Sequence, residues 1–193
     1  MKILYLHGLE SKPNCEKVEW LQSQGHEVTS PEINYKDKDV DLNQYTETKF
    51  DLIIGSSMWG YAAYMLGKQI GTDLLLFNPA LHSRTFDPNF RLNSKDNLIC
   101  PNVYLAVGEQ DNIIEPLRTV DILLHDIEVN FDMDNYILGE HGHRTPVDFF
   151  KDAFIDATGN PPPFDSQGNP IEDDFIDIEH TWHNEQEIWA NYF

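Results

Sequence analysis

The sequence predicts an α/β protein with a doubly wound, mostly parallel sheet and helices on both faces. Two observations support this prediction. Short apolar segments alternate with helix-like segments over the first 158 of the 193 residues. The apolar segments are continuous instead of alternating with polar residues, as expected for strands that are covered on both sides. This alternation of strands and helices is typical of a parallel sheet with crossover helices.

Six strands and five helices are expected in this domain, 1–158. The strands are predicted at residues 2–6, 27–30, 51–55, 74–77, 103–107 and 136–139. The helices are predicted at residues 14–24, 41–48, 58–70, 115–126 and 146–157. Gly25 and Gly71 directly follow the first and third helices, and glycine is the residue that most often ends a helix.

Residues 159–193 form a predicted C-terminal extension with a composition of its own. A glycine and three prolines, between Gly159 and Pro163, combine a helix stop with a stiff, extended stretch. No lysine or arginine follows Lys151, whereas ten acidic residues do. Aromatic side chains such as Trp182 and Trp189 can bury surface, so we expect the extension to pack on the body or on a partner, a second copy included.

The charge of the chain limits its partners. The sequence has 33 acidic and 13 basic residues, which leaves a formal net charge of −20. Such a surface repels phosphate backbones and anionic lipids, so we expect no nucleic-acid partner and no membrane association. No signal peptide follows Met1, and Cys15 and Cys100 form no paired motif. We therefore expect a cytoplasmic protein.

The candidate site residues all follow predicted strands, where the functional loops of such a sheet gather. Gly55-Ser56-Ser57 stands at a strand-to-helix junction, where a sharp turn lifts a serine hydroxyl out of the sheet. Ser57 holds the middle position of this motif and is the predicted nucleophile; the alternative is that both serines only cap the helix. The backbone N–H groups of Met58 and Leu9 are expected to form an oxyanion hole.

An acid and two histidines follow the later strands. Asp111 is predicted to orient an imidazole, with Glu109 as a rival acid and a role in a turn as the alternative. His141 and His143 both follow the last strand, and spacing alone does not separate them as the base. Serine, acid and histidine in this order correspond to the order in α/β-hydrolases. Residues 79–99 are long enough for a small flap only, so we expect minimal or no lid.

Five loops of the sequence resemble those of the YqiA-like small esterases within the α/β-hydrolase superfamily. The similar segments lie within about residues 1–157 and are Tyr5 to Pro13, Gly55 to Ala63, Asn78-Pro79-Ala80, Asp111 to Glu115, and His141 to Phe150. The family's histidine is followed by an aromatic residue two positions later and by an aromatic pair eight and nine positions later. These offsets favour His141 as the base. Trp59 stands where the family has a second glycine, and this departure puts the shape of the turn or of the acyl pocket in question.

The predicted function is therefore a serine hydrolase of the esterase type. Ser57, Asp111 and His141 would act as a triad through a covalent acyl-enzyme, and the net charge favours small, uncharged esters as substrates. No cofactor is expected, because no glycine-rich phosphate loop follows a strand. No metal is expected: His180 and His183 have acidic residues nearby, but a metal site needs a third and a fourth ligand in proper geometry, and a surface histidine pair is the favoured interpretation. The alternative is a non-catalytic binding module of the same fold that uses the acidic extension as a contact arm.

Overall fold

A computed structural model describes residues 1–8, 12–32, 39–83, 89–91 and 100–159. All of them belong to the first of the two units into which the chain divides, Met1–Asn160. The predicted extension, from residue 160 onward, lies outside the described residues, and so does Leu9. In the described part of the chain, no helix is both long enough and apolar enough to cross a bilayer.

A six-stranded parallel sheet forms the centre of the protein. Its strands are β1 (Lys2–Leu6), β2 (Glu27–Thr29), β4 (Leu52–Ser56), β5 (Leu74–Phe77), β7 (Val103–Gly108) and β8 (Tyr136–Gly139). Their order is β2-β1-β4-β5-β7-β8, and every neighbouring pair is parallel. The chain adds β2 on one side of β1, and β4, β5, β7 and β8 on the other side. The sheet is therefore doubly wound, as predicted. The order in which the chain adds strands changes direction between β1 and β4, and ligands bind at such a point in sheets of this type.

Within the described residues, five helices accompany the sheet: α1 (Glu16–Ser23), α2 (Asn43–Thr46), α3 (Ser57–Ile70), α4 (Pro116–His125) and α5 (Val147–Thr158). A short 3-10 helix, Met133–Asn135, precedes β8. Helices α1 and α5 pack together on one face, where the Trp20 ring meets the edges of Phe150 and Phe154 at centroid distances of 6.2 and 5.6 Å. Helix α3 packs on the opposite face, where Gly67 lies against the Leu74 side chain.

The core follows from the strand pattern. Because side chains alternate between the two faces of a strand, a continuous apolar strand supplies both layers at once. One layer combines strand residues with α1 and α5: Ile3, Tyr5, Leu52, Ile54, Leu75, Phe77, Ala106, Val18, Leu21, Phe150, Ala153 and Phe154. Helices thus cover the sheet on both faces. The loops at the carboxyl ends of the strands are where a ligand can approach such a sheet.

Two short strands were not predicted. Strand β3 (Asp39–Asp41) pairs in parallel with β6 (Asn89–Arg91), outside the main sheet. Each strand has three residues, which is too short for a recognisable periodicity, and each depends on a partner remote in sequence. Strand β6 lies within residues 79–99, for which we expected a small flap without assigned structure. Residues 84–88 and 92–99 of that segment lie outside the described residues.

Candidate active site

Ser57 stands at a sharp turn from strand to helix. Strand β4 ends at Ser56 and α3 begins at Ser57, so no loop residue separates them. Ser57 has a φ of 55°, in the left-handed region that residues other than glycine rarely adopt. This strained backbone places the serine at the carboxyl end of the central strand. The backbone thus makes the sharp strand-to-helix turn that the Gly55-Ser56-Ser57 motif predicted.

Glycines make this turn possible by allowing close approach. A Cβ atom on Gly55 would lie 2.4 Å from the Cβ of Ala63 and 2.8 Å from the Trp59 carbonyl oxygen. A Cβ atom on Gly60 would lie 2.8 Å from the Cβ of Pro79. Trp59 itself is buried, with 2% of its surface exposed. The turn therefore keeps its sharp geometry although Trp59 replaces the second glycine of the family pattern.

The Ser57 hydroxyl contacts a histidine that lies 86 residues later in the sequence. The distance from Ser57 Oγ to His143 Nε2 is 2.9 Å, and the distance from His143 Nδ1 to Asp111 Oδ2 is 2.8 Å. An ionised carboxylate only accepts hydrogen bonds, so the imidazole proton is assigned to Nδ1. Nε2 is then free to accept the hydrogen of the Ser57 hydroxyl. The three side chains form one directed hydrogen-bonded chain.

The carboxylate of Asp111 is buried and held from two sides. Its side chain has no solvent exposure. Oδ1 accepts hydrogen bonds from the backbone N–H groups of Ile113 and Ile114, at 2.8 and 3.0 Å, while Oδ2 faces His143. The sequence left two alternatives for Asp111, a residue of a turn or a partner of an imidazole. The structure combines them, because Oδ1 accepts from the turn and Oδ2 contacts the imidazole. The rival acid, Glu109, has an exposed side chain.

The prediction that His141 lies beside Ser57 is wrong, because His143 occupies that position. The Nδ1 atom of His141 donates to the carbonyl oxygen of Gly142 at 2.7 Å, and its ring packs edge-on against Phe149 at a centroid distance of 4.5 Å. The ring lies over the end of β7, where a Cβ on Gly108 would be 2.6 Å from its Nδ1. Burial lowers the pKa of His141, although the Gly142 carbonyl raises it.

Only one of the two predicted oxyanion donors falls on described residues. Met58 is the second residue of α3, so its N–H belongs to the first helical turn, whose N–H groups have no acceptor within the helix. Leu9 lies outside the described residues. The residue before it, Gly8, approaches the serine turn: a Cβ atom there would be 3.4 Å from Ser56 Oγ. The loop after β1 therefore reaches the same end of the sheet as this turn.

A cavity that the sequence did not predict opens beside Asp111. Its volume is about 410 Å³, and mainly polar side chains line it: His82, Ser83, Asp111, Asn112, Ile113, Glu115 and Arg118. Neither Ser57 nor His143 is among the residues that line it. Among the described residues, no group of three or more His, Cys, Asp or Glu side chains could hold a metal ion. His180 and His183 lie outside them.

Comparisons with known proteins bear on the fold and the family. Residues 2–94 match the model of a family described as "Uncharacterised protein family (UPF0227)". This is the YqiA-like family. The resemblance inferred from the loops is thus confirmed over a segment that contains Ser57 but neither Asp111 nor His143. No curated protein matches the chain.

A solved structure shows the same fold. It is a protein of Xanthomonas campestris pv. campestris whose name describes it as a candidate hydrolase of the alpha/beta superfamily. The superposition has a TM-score of 0.52, with 19% sequence identity, and covers 81% of this chain and 95% of the other. The domain therefore has an α/β-hydrolase-like fold.

Proposed function

We propose that this protein is a serine hydrolase that cleaves carboxylic esters. The observation that supports the proposal most strongly is the hydrogen-bonded chain from Ser57 Oγ through His143 to Asp111 Oδ2, with distances of 2.9 and 2.8 Å. A serine hydroxyl is a weak nucleophile on its own and needs an adjacent base that a third group orients. This arrangement supports an enzyme over the alternative of a non-catalytic binding module.

The proposed reaction proceeds through an acyl-enzyme. His143 accepts the proton of Ser57 as Oγ attacks the ester carbonyl carbon, and Asp111 stabilises the imidazolium that forms. The N–H of Met58, with a second donor expected from Leu9, stabilises the tetrahedral oxyanion. His143 then returns the proton to the leaving alkoxide, and the alcohol departs. Water, deprotonated by the same imidazole, attacks the acyl-enzyme and releases the carboxylic acid and free Ser57.

The proposed substrates are small, uncharged esters. The net charge of −20 disfavours polyanionic acyl carriers, nucleic acids and anionic membranes as partners. The proposed site of action is the cytoplasm, and the acidic extension is proposed as the means by which the chain contacts itself or another protein.

Turnover of short 4-nitrophenyl esters tests this function. The Ser57→Ala variant should lose about 10³-fold or more of kcat, since only binding and the oxyanion donors would remain. Ser56→Ala is the matched control: Ser56 is the neighbouring hydroxyl, and its side chain makes no capping hydrogen bond to α3. The proposal fails if Ser57→Ala keeps the wild-type rate, or if folded wild-type protein hydrolyses none of a series of such esters.

A further inference from the structure

Asn78 joins the two loops that carry the acid and the histidine. It directly follows β5, and only 1% of its surface is exposed. Its Oδ1 accepts a hydrogen bond of 2.9 Å from the backbone N–H of Gly108, at the end of the strand before Asp111. Its Nδ2 donates a hydrogen bond of 2.9 Å to the backbone carbonyl oxygen of His143. One buried amide thus connects β7 to the residue that faces Ser57.

The backbone around Asn78 extends this connection to the third loop. The Asn78 N–H donates to the Ala106 carbonyl at 3.1 Å, which continues the pairing of β5 with β7. Two residues later, the Ala80 N–H donates to the Ser57 carbonyl at 2.9 Å. Residues 78–80 therefore hold the backbones of Ser57 and His143 and the strand that leads to Asp111.

The side chain and the backbone of Asn78 both suit this position. The site needs a donor and an acceptor on two separate atoms of one short side chain, and among the small residues asparagine supplies this pair. Asn78 also has a φ of 42°, in the left-handed region, which asparagine tolerates better than most residues. Aspartate would retain the acceptor but lose the donor, and glycine would retain the backbone but lose both.

We propose that Asn78 is a positioning residue, which holds His143 at the distance from Ser57 that proton transfer requires. The inference rests on the proposed function. His143 lies in a loop between β8 and α5, and its side chain is 23% exposed. The hydrogen bond from Asn78 anchors the backbone of this residue itself. A displacement of about 1 Å in such a group can cost about 10²-fold in rate.

Two substitutions at Asn78 and one control test the proposal through ester turnover across pH. Asn78→Gly removes the amide at a backbone conformation that glycine adopts freely, and we expect kcat to fall about 10- to 100-fold with KM little changed. Asn78→Asp places a carboxylate near the His143 carbonyl, which stabilises the protonated imidazole. We expect its activity to fall and the acid side of its pH profile to move to higher pH, a shift that Asn78→Gly lacks.

Asn102→Gly is the matched control, at the opposite end of β7. It also removes hydrogen bonds of an asparagine amide, here from Asn102 Nδ2 to the Asp73 carboxylate at 3.1 Å, at an exposed site. Its kcat per active site should equal that of the wild type. Thermal unfolding and titration of reactive serine with a fluorophosphonate give the folded, competent fraction for every variant.

Distinct outcomes separate this inference from the proposed function. Wild-type turnover that survives in Asn78→Gly, with the same kcat per competent site and the same pH profile, would overturn the role of Asn78 alone. If Asn78→Gly does not fold, the test uses Asn78→Asp, which keeps the acceptor for the Gly108 N–H. An unchanged kcat and an unchanged acid side of the pH profile in that variant would overturn the positioning role of Asn78. A folded wild-type chain without turnover would overturn the proposed function and this inference with it.

Discussion

The Ser57 hydroxyl and the His143 imidazole are joined by a hydrogen bond of 2.9 Å although 86 residues separate them in sequence. The sheet order explains how they meet. Ser57 follows β4, and the loop of His143 follows β8, three strands away at the edge of the sheet. The loop therefore runs back across the ends of β7 and β5.

The two histidines of this loop should behave differently on substitution. His143→Gln removes the group that accepts the serine proton, and we expect kcat to fall by about 10³-fold or more. His141→Gln is the matched control, since the His141 ring contacts Phe149 and the Gly142 carbonyl and not Ser57. We expect its kcat to stay within about tenfold of the wild type. Steady-state ester hydrolysis measures both, and the reverse ranking would contradict the assignment.

The negative charge of Asp111 should support a high kcat. Asp111→Asn preserves the size of the side chain but removes the negative charge that holds the Nδ1 proton of His143 and stabilises the imidazolium. We expect kcat to fall about 10³- to 10⁴-fold, with a smaller effect on KM. Glu109→Gln, on the exposed rival acid, removes the same charge two residues away. A loss of activity in Glu109→Gln that equals the loss in Asp111→Asn would identify a general charge effect and contradict this role.

The left-handed backbone of Ser57 should cost stability. At a φ of 55°, any side chain with a Cβ atom is strained, whereas glycine is not. We therefore expect Ser57→Gly to have a free energy of unfolding about 1 kcal/mol above that of Ser57→Ala. Urea unfolding of the two inactive variants measures the difference. Equal stabilities, or a less stable glycine variant, would show that the turn is unstrained.

Lys17 should make stability depend on pH. Its Nζ donates to the Thr145 carbonyl at 2.8 Å, and burial lowers its pKa to about 8 from the usual 10.5. Between about pH 8 and 10.5, the unfolded chain keeps a proton on this amine that the native protein has lost. The contribution of Lys17 to the free energy of unfolding therefore rises with pH across this window.

Substitution isolates this contribution. In Lys17→Met the titrating amine is absent, so the free energy of unfolding of the wild type minus that of the variant should increase from about pH 8 to about pH 10.5. Urea unfolding at both ends of the window measures the change. Lys12→Met, at an exposed lysine, is the matched control. If the free energy of unfolding of the wild type minus that of Lys17→Met stays constant or decreases as pH rises, the lowered pKa of Lys17 is contradicted.

The main sheet could be predicted from the sequence because its signal is local. Strands β1, β5 and β8 agree with the prediction at both ends, since each is a short apolar run, whether it lies inside the sheet, as β1 and β5 do, or at its edge, as β8 does. Helix α3 begins one residue earlier than predicted, at Ser57, because the strand turns into the helix without a linker. Strands β3 and β6 were missed because their pairing is remote in sequence and each is only three residues long.

The choice between the two histidines needed the strand order. Three strand spacings of about 4.8 Å separate β8 from β4, a distance of about 14 Å. From Gly139, where β8 ends, two residues advance the chain by at most about 7 Å, and four residues by about 14 Å. His141 accordingly lies over Gly108 on β7, and His143 reaches Ser57. Family offsets along the sequence carry no information about this distance.

The role of Asn78 also depends on tertiary structure. The sequence placed Asn78 after a strand, but the two backbone partners of its side chain, Gly108 and His143, are 30 and 65 residues away. Asp111, by contrast, was predictable because its turn is local: its carboxylate accepts from N–H groups two and three residues later. Local hydrogen bonds leave a signature in the sequence, and long-range ones do not.

The most direct test of the central claim, that His143 and Asp111 activate Ser57, is reaction with a fluorophosphonate followed by mass spectrometry of the intact chain and its peptides. We expect one adduct per wild-type chain, located on Ser57, no adduct in Ser57→Ala, and labelling slowed about 10³-fold or more in His143→Gln. The absence of an adduct on folded wild-type protein, or an adduct formed at the wild-type rate in Ser57→Ala, would contradict this claim.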